Sequence, residues 1–411
     1  TRATLLTGQY PFRHGWTNHW DVPRWGAGGH FDAKKTTTYA NVLREAGYTT
    51  CAAGKWQIDD YRVEPNAMDE AGFDSWCMWT GYEAANPPSS KRYWDAYINI
   101  KEDDKLKGSR THKDKFGPDV YNQHLVSFIQ KNKDKPILLY YPMALTHGPM
   151  TTTPDHPDKA DRARFPGMVR YTDKLVGQLV TALEDAGVRK NTIVIFTTDN
   201  GTGGNSNKRL GRVVRGGKAK MSEQNGTAMP FIVSCPGTVP AGIETDALID
   251  FTDMLPTFAE LGGGELPKGR VVDGKSFAPL LLGKADDGPR DWIMSMGGGP
   301  ASIQLGELRM RLMLQHEHRD NYNCIGLGRI TDMRQDGSLE RDKDYIASSL
   351  HYQVSPALRG FVKELFGLLK HRAEALADRV QLSGRGGTAE IADFLMLQMV
   401  NRYLPLVGHF N

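Results

Sequence analysis

Apolar positions recur at two spacings through the first 300 residues, and the two alternate along the chain. Residues 1–8 carry a helical spacing that ends at Gly8. Residues 37–46 place Tyr39, Val42 and Leu43 on one helical face, and Gly47 follows as a stop. A short strand over 48–53 leads into Gly54-Lys55-Trp56-Gln57. Helical spacing returns over 117–133, and 136–142 (PILLYYP) reads as an apolar strand. Residues 162–186 form an amphipathic helix with Met168, Tyr171, Leu175, Leu179 and Leu183 on its apolar face and Gly187 as its cap. The β-branched run 192–198 (TIVIFTT) has the composition of a buried strand in a parallel sheet. Further strands are expected over 230–235 and 292–296, with a helix over 250–261 between them. This order of strands and helices predicts a doubly wound α/β domain. Between 60 and 118 the periodicity is lost. That stretch reads as a long irregular excursion with a lysine-rich tip, Lys101 to Lys115, of the kind that covers active sites.

The pattern changes after residue 300. Residues 301–320 read as a junction, and 321–411 as a mainly helical segment. Ser355 is placed to cap a helix starting at Pro356. Its apolar stripe is Leu358, Phe361, Leu365, Leu368, Leu369, Leu376 and Val380. A Gly-rich loop and a second helix complete a helical hairpin, and residues 356–405 offer a surface for self-association. The two parts are expected to share little buried contact.

Composition narrows the classes. At 411 residues the chain can bury a sizeable core. Charged residues are 24% and the net charge is +3, so nothing points to nucleic acid. No run is long enough to span a membrane as a helix. Cys51, Cys77, Cys235 and Cys324 have no metal or redox spacing.

Candidate chemistry gathers after the strands. Asp199-Asn200-Gly201 follows 192–198 and offers hard oxygen ligands for Ca²⁺ or Mg²⁺, or else forms an ordinary turn. Lys55 faces an anion or is solvated. His147 lies between a strand end and Gly148-Pro149, where acid/base or anion contact competes with a packing role. Arg209, Arg212, Arg215, Lys218 and Lys220 sit in a Gly-rich loop that is either mobile surface or an anion-binding fold-back. Arg2 by itself reads as surface, and His14 as surface or packing.

Taken together, these segments resemble the sulfatase family of the alkaline-phosphatase superfamily over residues 1–300. TRATLLTGQYP is similar to the second half of the Cys/Ser-x-Pro-Ser/Thr-Arg-x-x-Leu-x-Thr-Gly signature. GYTTCAAGKWQ, THGP, NTIVIFTTDNG, GGKAKMSEQNGTAMPFIVSCPG, DFTDMLPTFAELGG and DGKSFAPLLLG resemble its later motifs, in the family's order. The resemblance implies an alkaline-phosphatase-like sheet with helices on both faces and hydrolysis of sulfate esters of small molecules or carbohydrates. Asp199 and Asn200 would ligate Ca²⁺. Lys55 and Lys218 would clamp sulfate oxygens, His147 would contact the sulfate or leaving oxygen, and Arg2 would support the nucleophile. It also suggests a periplasmic or secreted location.

Three departures bear on activity. The family's formylglycine nucleophile would precede Thr1, and the paired N-terminal acids are not found, so the chain as written is expected to be inactive. Gln57 stands where many members carry His. The Lys218 segment is one residue longer than the common pattern, which makes Lys220 an alternative clamp. A phosphoesterase or phosphonate hydrolase of the same superfamily is the nearest rival. Separately, the SGRGG, TAEIADF, VNRY and PL run within 318–411 is similar to a TssK-type baseplate subunit of type VI secretion. A non-catalytic assembly protein acting through these helices is the rival from another class.

Overall fold

The computed structural model describes residues 1–16, 31–83, 85–158, 160–203, 207–209, 212–214, 216–218, 224–290, 292–297, 309–314 and 325–329. The expected hairpin, the 301–320 junction as a whole and Lys220 lie outside them.

The main sheet has five strands: β1 (Thr49–Lys55), β2 (Ser75–Trp79), β3 (Tyr97–Glu102), β4 (Lys105–Thr111) and β5 (Ile137–Tyr140), in the order β4-β3-β2-β1-β5. β1 runs parallel to both β2 and β5, while β3 and β4 extend the sheet antiparallel. The two-residue alternation sorts side chains to the two faces. Ala52, Trp76, Met78, Leu138 and Tyr140 join one core with residues of α1 (Arg2–Thr7), α2 (Tyr39–Glu45) and α5 (Met254–Gly262). Cys51, Ala53, Cys77, Trp79 and Leu139 join the other, under α3 (Gly117–Asn132) and α4 (Asp161–Asp185). Helices therefore cover both faces of a mixed sheet.

Local signals set the helix ends. Gly8 closes α1 at φ 67, and Thr38 caps α2, accepting from the amides of Ala40 and Asn41 at 3.1 Å each. The apolar stripe of α4 is buried at Met168, Tyr171, Leu175 and Leu183.

Two expectations need correction. Residues 60–118 are not an irregular excursion, because they supply β2, β3 and β4 of the main sheet. All five residues of β2 (SWCMW) are buried, so the strand shows no polar alternation. β3 and β4 turn through Asp103 and Asp104 at φ 49 and 58, between the paired Glu102 and Lys105. Such a turn usually carries Asn-Gly or Asp-Gly, and Asp-Asp hides it. The lysine-rich stretch is thus largely a hairpin. The second correction concerns 192–198. β6 (Val194–Thr197) forms there, but it is half-buried and pairs antiparallel with β9 (Phe231–Ser234) among the described residues. An apolar run signals burial against a core, not the direction of its neighbour. β7 (Asn207–Arg209) and β8 (Arg212–Val214) pair antiparallel in the basic loop. Beyond residue 290, β10 (Trp292–Gly297), β11 (Arg309–Leu314) and β12 (Ile325–Arg329) form an antiparallel sheet.

Where β1 meets the end of β5 the backbones are very close. Lys55 N–H donates to the Pro142 carbonyl at 2.6 Å. Gly54 sits at φ 121, and a Cβ there would lie 2.3 Å from the Pro142 oxygen. Gly54→Ala should therefore force the strands apart and cost about 2–3 kcal/mol. A denaturant midpoint equal to wild type would refute this packing.

A buried ionic network ties the start of the chain to residue 290. Arg290 Nε donates to both oxygens of Asp253 at 2.7 and 2.8 Å, and its Nη2 donates to Thr252 Oγ1 and to the Asp273 carbonyl at 2.9 Å each. Asp273 also takes Arg13 Nε and the Tyr10 amide. The Tyr10 hydroxyl donates to Asp250.

Candidate active site

Residues at or just past the carboxyl ends of β1, β5 and β6 come near one another, at the strand ends where open α/β sheets place their ligand sites. Lys55 closes β1 and is 9% exposed. No carboxylate pairs with it among the described residues. Burial holds its ammonium well below the ordinary value, and Arg2, Arg92 and Lys218 push the same way against the pull of Asp199. A buried cation repelled by other cations is costly unless an anion joins it.

His147 follows β5 and keeps an open edge to solvent. Its Nδ1 lies 2.7 Å from the Gly148 carbonyl and its Nε2 lies 3.4 Å from Lys218 Nζ. Partial burial lowers its pKa to about 4, with Lys55, Arg92 and Lys218 contributing and the Gly148 carbonyl opposing. A midpoint that low leaves the imidazole neutral at pH 7.

Lys218 reaches the basin because the basic loop folds back. The Lys218 amide donates to the Thr202 carbonyl at 3.0 Å, and Gly216 packs so tightly on Gly203 that a Cβ would overlap its oxygen. Residues 216–218 thus fold back onto 202–203. Lys218 Nζ lies beside His147, while Lys220 is outside the described residues.

Arg2 is not loose surface. It is half-buried, its Nη2 donates to the Gln57 carbonyl at 3.4 Å, and its buried Nε has no hydrogen-bond partner. Burial lowers its pKa, while Tyr140 and Asp199 act the other way. Gln57 adopts φ 52, which turns its carbonyl toward Arg2. His14 is a packing residue. Its Nδ1 accepts from the Trp16 amide at 3.0 Å, and its Nε2 meets Thr4 Oγ1 at 3.2 Å.

Asp199 and Asn200 follow β6. The Asp199 carbonyl accepts from Thr1 Oγ1 at 3.1 Å, and Asn200 Nδ2 donates to the Gly201 carbonyl at 3.0 Å. Their oxygens suit a hard cation in kind, but two donors fall short of the six to eight that Ca²⁺ takes. Among the described residues, no cluster of three or more His, Cys, Asp or Glu could hold a metal.

Sequence reasoning passed over Arg92. It lies within SSKRYWDAY, and its guanidinium stacks 4.6 Å from the Trp79 ring centroid. Its Nη2 donates to the Gly148 carbonyl at 2.7 Å. Beside it, the Tyr93 hydroxyl shares its one hydrogen between the Ala144 carbonyl, at 2.8 Å, and that of His147, pinning the loop that carries the imidazole. The signal was there: a basic residue followed by two aromatics in a stretch that otherwise looked irregular.

Five cationic or protonable groups from separate segments, namely Arg2, Lys55, Arg92, His147 and Lys218, thus surround one basin beside Asp199. Clustered positive charge of this kind is suited to an oxyanion. The family model described as Sulfatase matches residues 1–264, and the chain belongs to the sulfatase family. It is 29% identical over 308 residues to an arylsulfatase of Hemicentrotus pulcherrimus, a match covering 69% of this chain and 52% of that protein. The chain thus spans about half the length of that relative. In structure it is similar to Ps i-CgsB in complex with k-i-k-neocarrahexaose, with a TM-score of 0.62, 20% identity, and coverage of 98% of this chain and 88% of the other. That likeness shows the fold.

The remainder matches something else. Residues 285–411 fit the family model described as Bacterial Type VI secretion, VC_A0110, EvfL, ImpJ, VasE. Over 111 residues the chain is 43% identical to the type VI secretion system baseplate component TssK1 of Pseudomonas aeruginosa, covering 27% of this chain and 25% of that protein. Among the described residues, no helix is long and apolar enough to cross a membrane.

Proposed function

We propose that the residues up to Arg290 form a sulfuric-ester hydrolase unit whose substrate is a sulfated carbohydrate. The observation that carries this is the convergence of Lys55, His147 and Lys218 from three chain segments, with Lys218 Nζ 3.4 Å from His147 Nε2. Lys55, Lys218 and Arg2 bind and orient the sulfate. His147 takes up a proton as the anion arrives and presents it to the leaving oxygen. The carbohydrate assignment follows the sugar-bound structural neighbour. Asp199 and Asn200 are proposed to give two ligands to a divalent cation, most simply Ca²⁺, which when bound would polarise the sulfate.

The test is turnover. Residues 1–411 alone are expected to show none, because the signature's formylglycine residue is not among them. The same chain extended by the Cys-x-Pro half of the signature and the paired acids, and matured to formylglycine, should cleave carbohydrate or aryl sulfates. Loss of activity on every sulfate ester would defeat the proposal. Faster turnover of matched phosphate or phosphonate esters would favour the phosphoesterase alternative.

Proton uptake gives a prediction that needs no turnover. Inorganic sulfate favours charged His147 and charged Lys55, so its binding takes up protons. Affinity should rise as pH falls from 8 toward 5, by up to about tenfold per unit for each proton taken up. Calorimetry in buffers of different ionisation enthalpy would report the uptake. An affinity independent of pH would remove His147 from the anion site.

For residues 285–411 the baseplate match favours a role in assembly, separate from hydrolysis. Size-exclusion chromatography with and without residues 320–411 should show a larger species only when they are present. A monomer in both cases counts against this role.

A further inference from the structure

The Gly148 carbonyl accepts two donors, Arg92 Nη2 and His147 Nδ1, each at 2.7 Å. A carbonyl cannot donate, so the His147 contact exists only while Nδ1 carries the hydrogen. In the neutral ring the lone pair then sits on Nε2, which faces Lys218 Nζ at 3.4 Å. Arg92 itself is held on its other side. Its guanidinium stacks on Trp79, which is 2% exposed, and its Nε is buried with no hydrogen-bond partner. No carboxylate pairs with Arg92 among the described residues. The plane of Trp79 and the Gly148 oxygen therefore account for where it points.

We infer that Arg92 is a positioning residue that fixes the orientation and tautomer of His147 through the carbonyl oxygen they share. Arg92 keeps the Gly148 carbonyl aimed at Nδ1, and so keeps Nε2 turned into the anion basin. Resting on the hydrolase reading above, the consequence is chemical. Nε2 is the atom that takes the proton when an anion enters, and the atom that can return it to a leaving oxygen. A ring flipped by 180°, or carrying its hydrogen on Nε2, could do neither. The charged groups around the imidazole are Lys55 at the end of β1, Lys218 from the folded-back loop, and Arg92. All three disfavour the imidazolium until an anion arrives.

The experiment is nitrogen NMR of the full chain with ¹⁵N-labelled histidine, without substrate. His147 is assigned by the signal lost in His147→Gln, and the remaining signals among the 12 histidines report whether the fold is intact. Wild type should show protonated Nδ1 and unprotonated Nε2 at pH 7, with a titration midpoint well below that of a free imidazole. Arg92→Gln should give a mixture of tautomers and an upward midpoint shift of about one unit, because a like charge has gone. Arg92→Lys keeps the charge but changes the reach. It should keep the low midpoint and restore the single tautomer only in part, since Lys is not a planar fork. A single Nδ1–H tautomer with an unchanged midpoint in Arg92→Gln, the other histidines undisturbed, overturns the inference. Neither readout needs catalysis, so failure of the hydrolase proposal would leave the inference standing, and the reverse is also true.

Discussion

Arg290→Met is expected to lower the stability of the folded chain by about 3–5 kcal/mol, because it leaves a buried carboxylate without its counter-charge. Asp253 is 0% exposed and Arg290 is 3% exposed. Burial opposes the charge of Arg290, yet the carboxylates of Asp250 and Asp253 outweigh that and hold its pKa above the ordinary value. Methionine fills similar space but removes the charged donors to Asp253 and to the Asp273 carbonyl, leaving Asp253 only the amides of Asp250 and Lys275 among the described residues. For a unit of this size the melting temperature should fall by about 6–20 °C. Changing Asp253 to leucine in the same chain should recover part of the loss, since an apolar pair removes both charges together. The prediction bears on where the chain divides. The sulfatase match ends at residue 264 and the secretion match begins at 285, so Arg290 counts with the second. Its bonds place it with the first. A chain ended at residue 284 should melt far lower than one ended at residue 297. Equal melting of the two, or a shift below about 2 °C in Arg290→Met, would show that the network contributes little.

Lys55→Met should weaken inorganic sulfate binding by about 10- to 100-fold, the loss of a charge-assisted hydrogen bond to the anion. The effect on the anion-free protein should have the opposite sign. Lys55 is buried, repelled by Arg2, Arg92 and Lys218, and attracted by Asp199. Removing that charge should stabilise the empty fold by about 1 kcal/mol. The sign with pH follows. Its native pKa lies below the ordinary 10.5, so the unfolded chain binds more protons between the two values, and wild-type stability rises with pH across that window. Lys55→Met should lack that rise. Unchanged sulfate affinity in calorimetry would remove Lys55 from the site. A lower melting temperature in the absence of anion would mean that its charge is compensated after all.

The candidate site was legible wherever chemistry follows directly on a strand. Lys55 ends β1, His147 comes shortly after β5, and Asp199 comes shortly after β6, so the strand pattern pointed to residues that the fold brings near one another. Arg92 escaped because its stretch was read as irregular. The strands there are short, one is buried on every residue, and their hairpin turns on Asp-Asp. Each of those features removes a cue that sequence reading depends on. Arg2 was legible only through family resemblance, since nothing in its local sequence predicts burial.

What the sequence alone determined is the order of elements and the identity of the groups at their ends. Helix periodicity, glycine stops and apolar strand runs are local properties, and they survive without knowledge of partners. The seven ordered motifs likewise identified the family. The tertiary structure decided which groups meet. The pairing of β6 with β9, the fold-back that brings Lys218 to His147, and the return of Arg290 to Asp253 are all contacts between distant parts of the chain. Such contacts depend on shape and on charge compensation inside a low-dielectric core, which no local pattern records. The shared Gly148 oxygen belongs with them. Arg92 and His147 are 55 residues apart by their numbering, and only the fold turns both toward the same carbonyl.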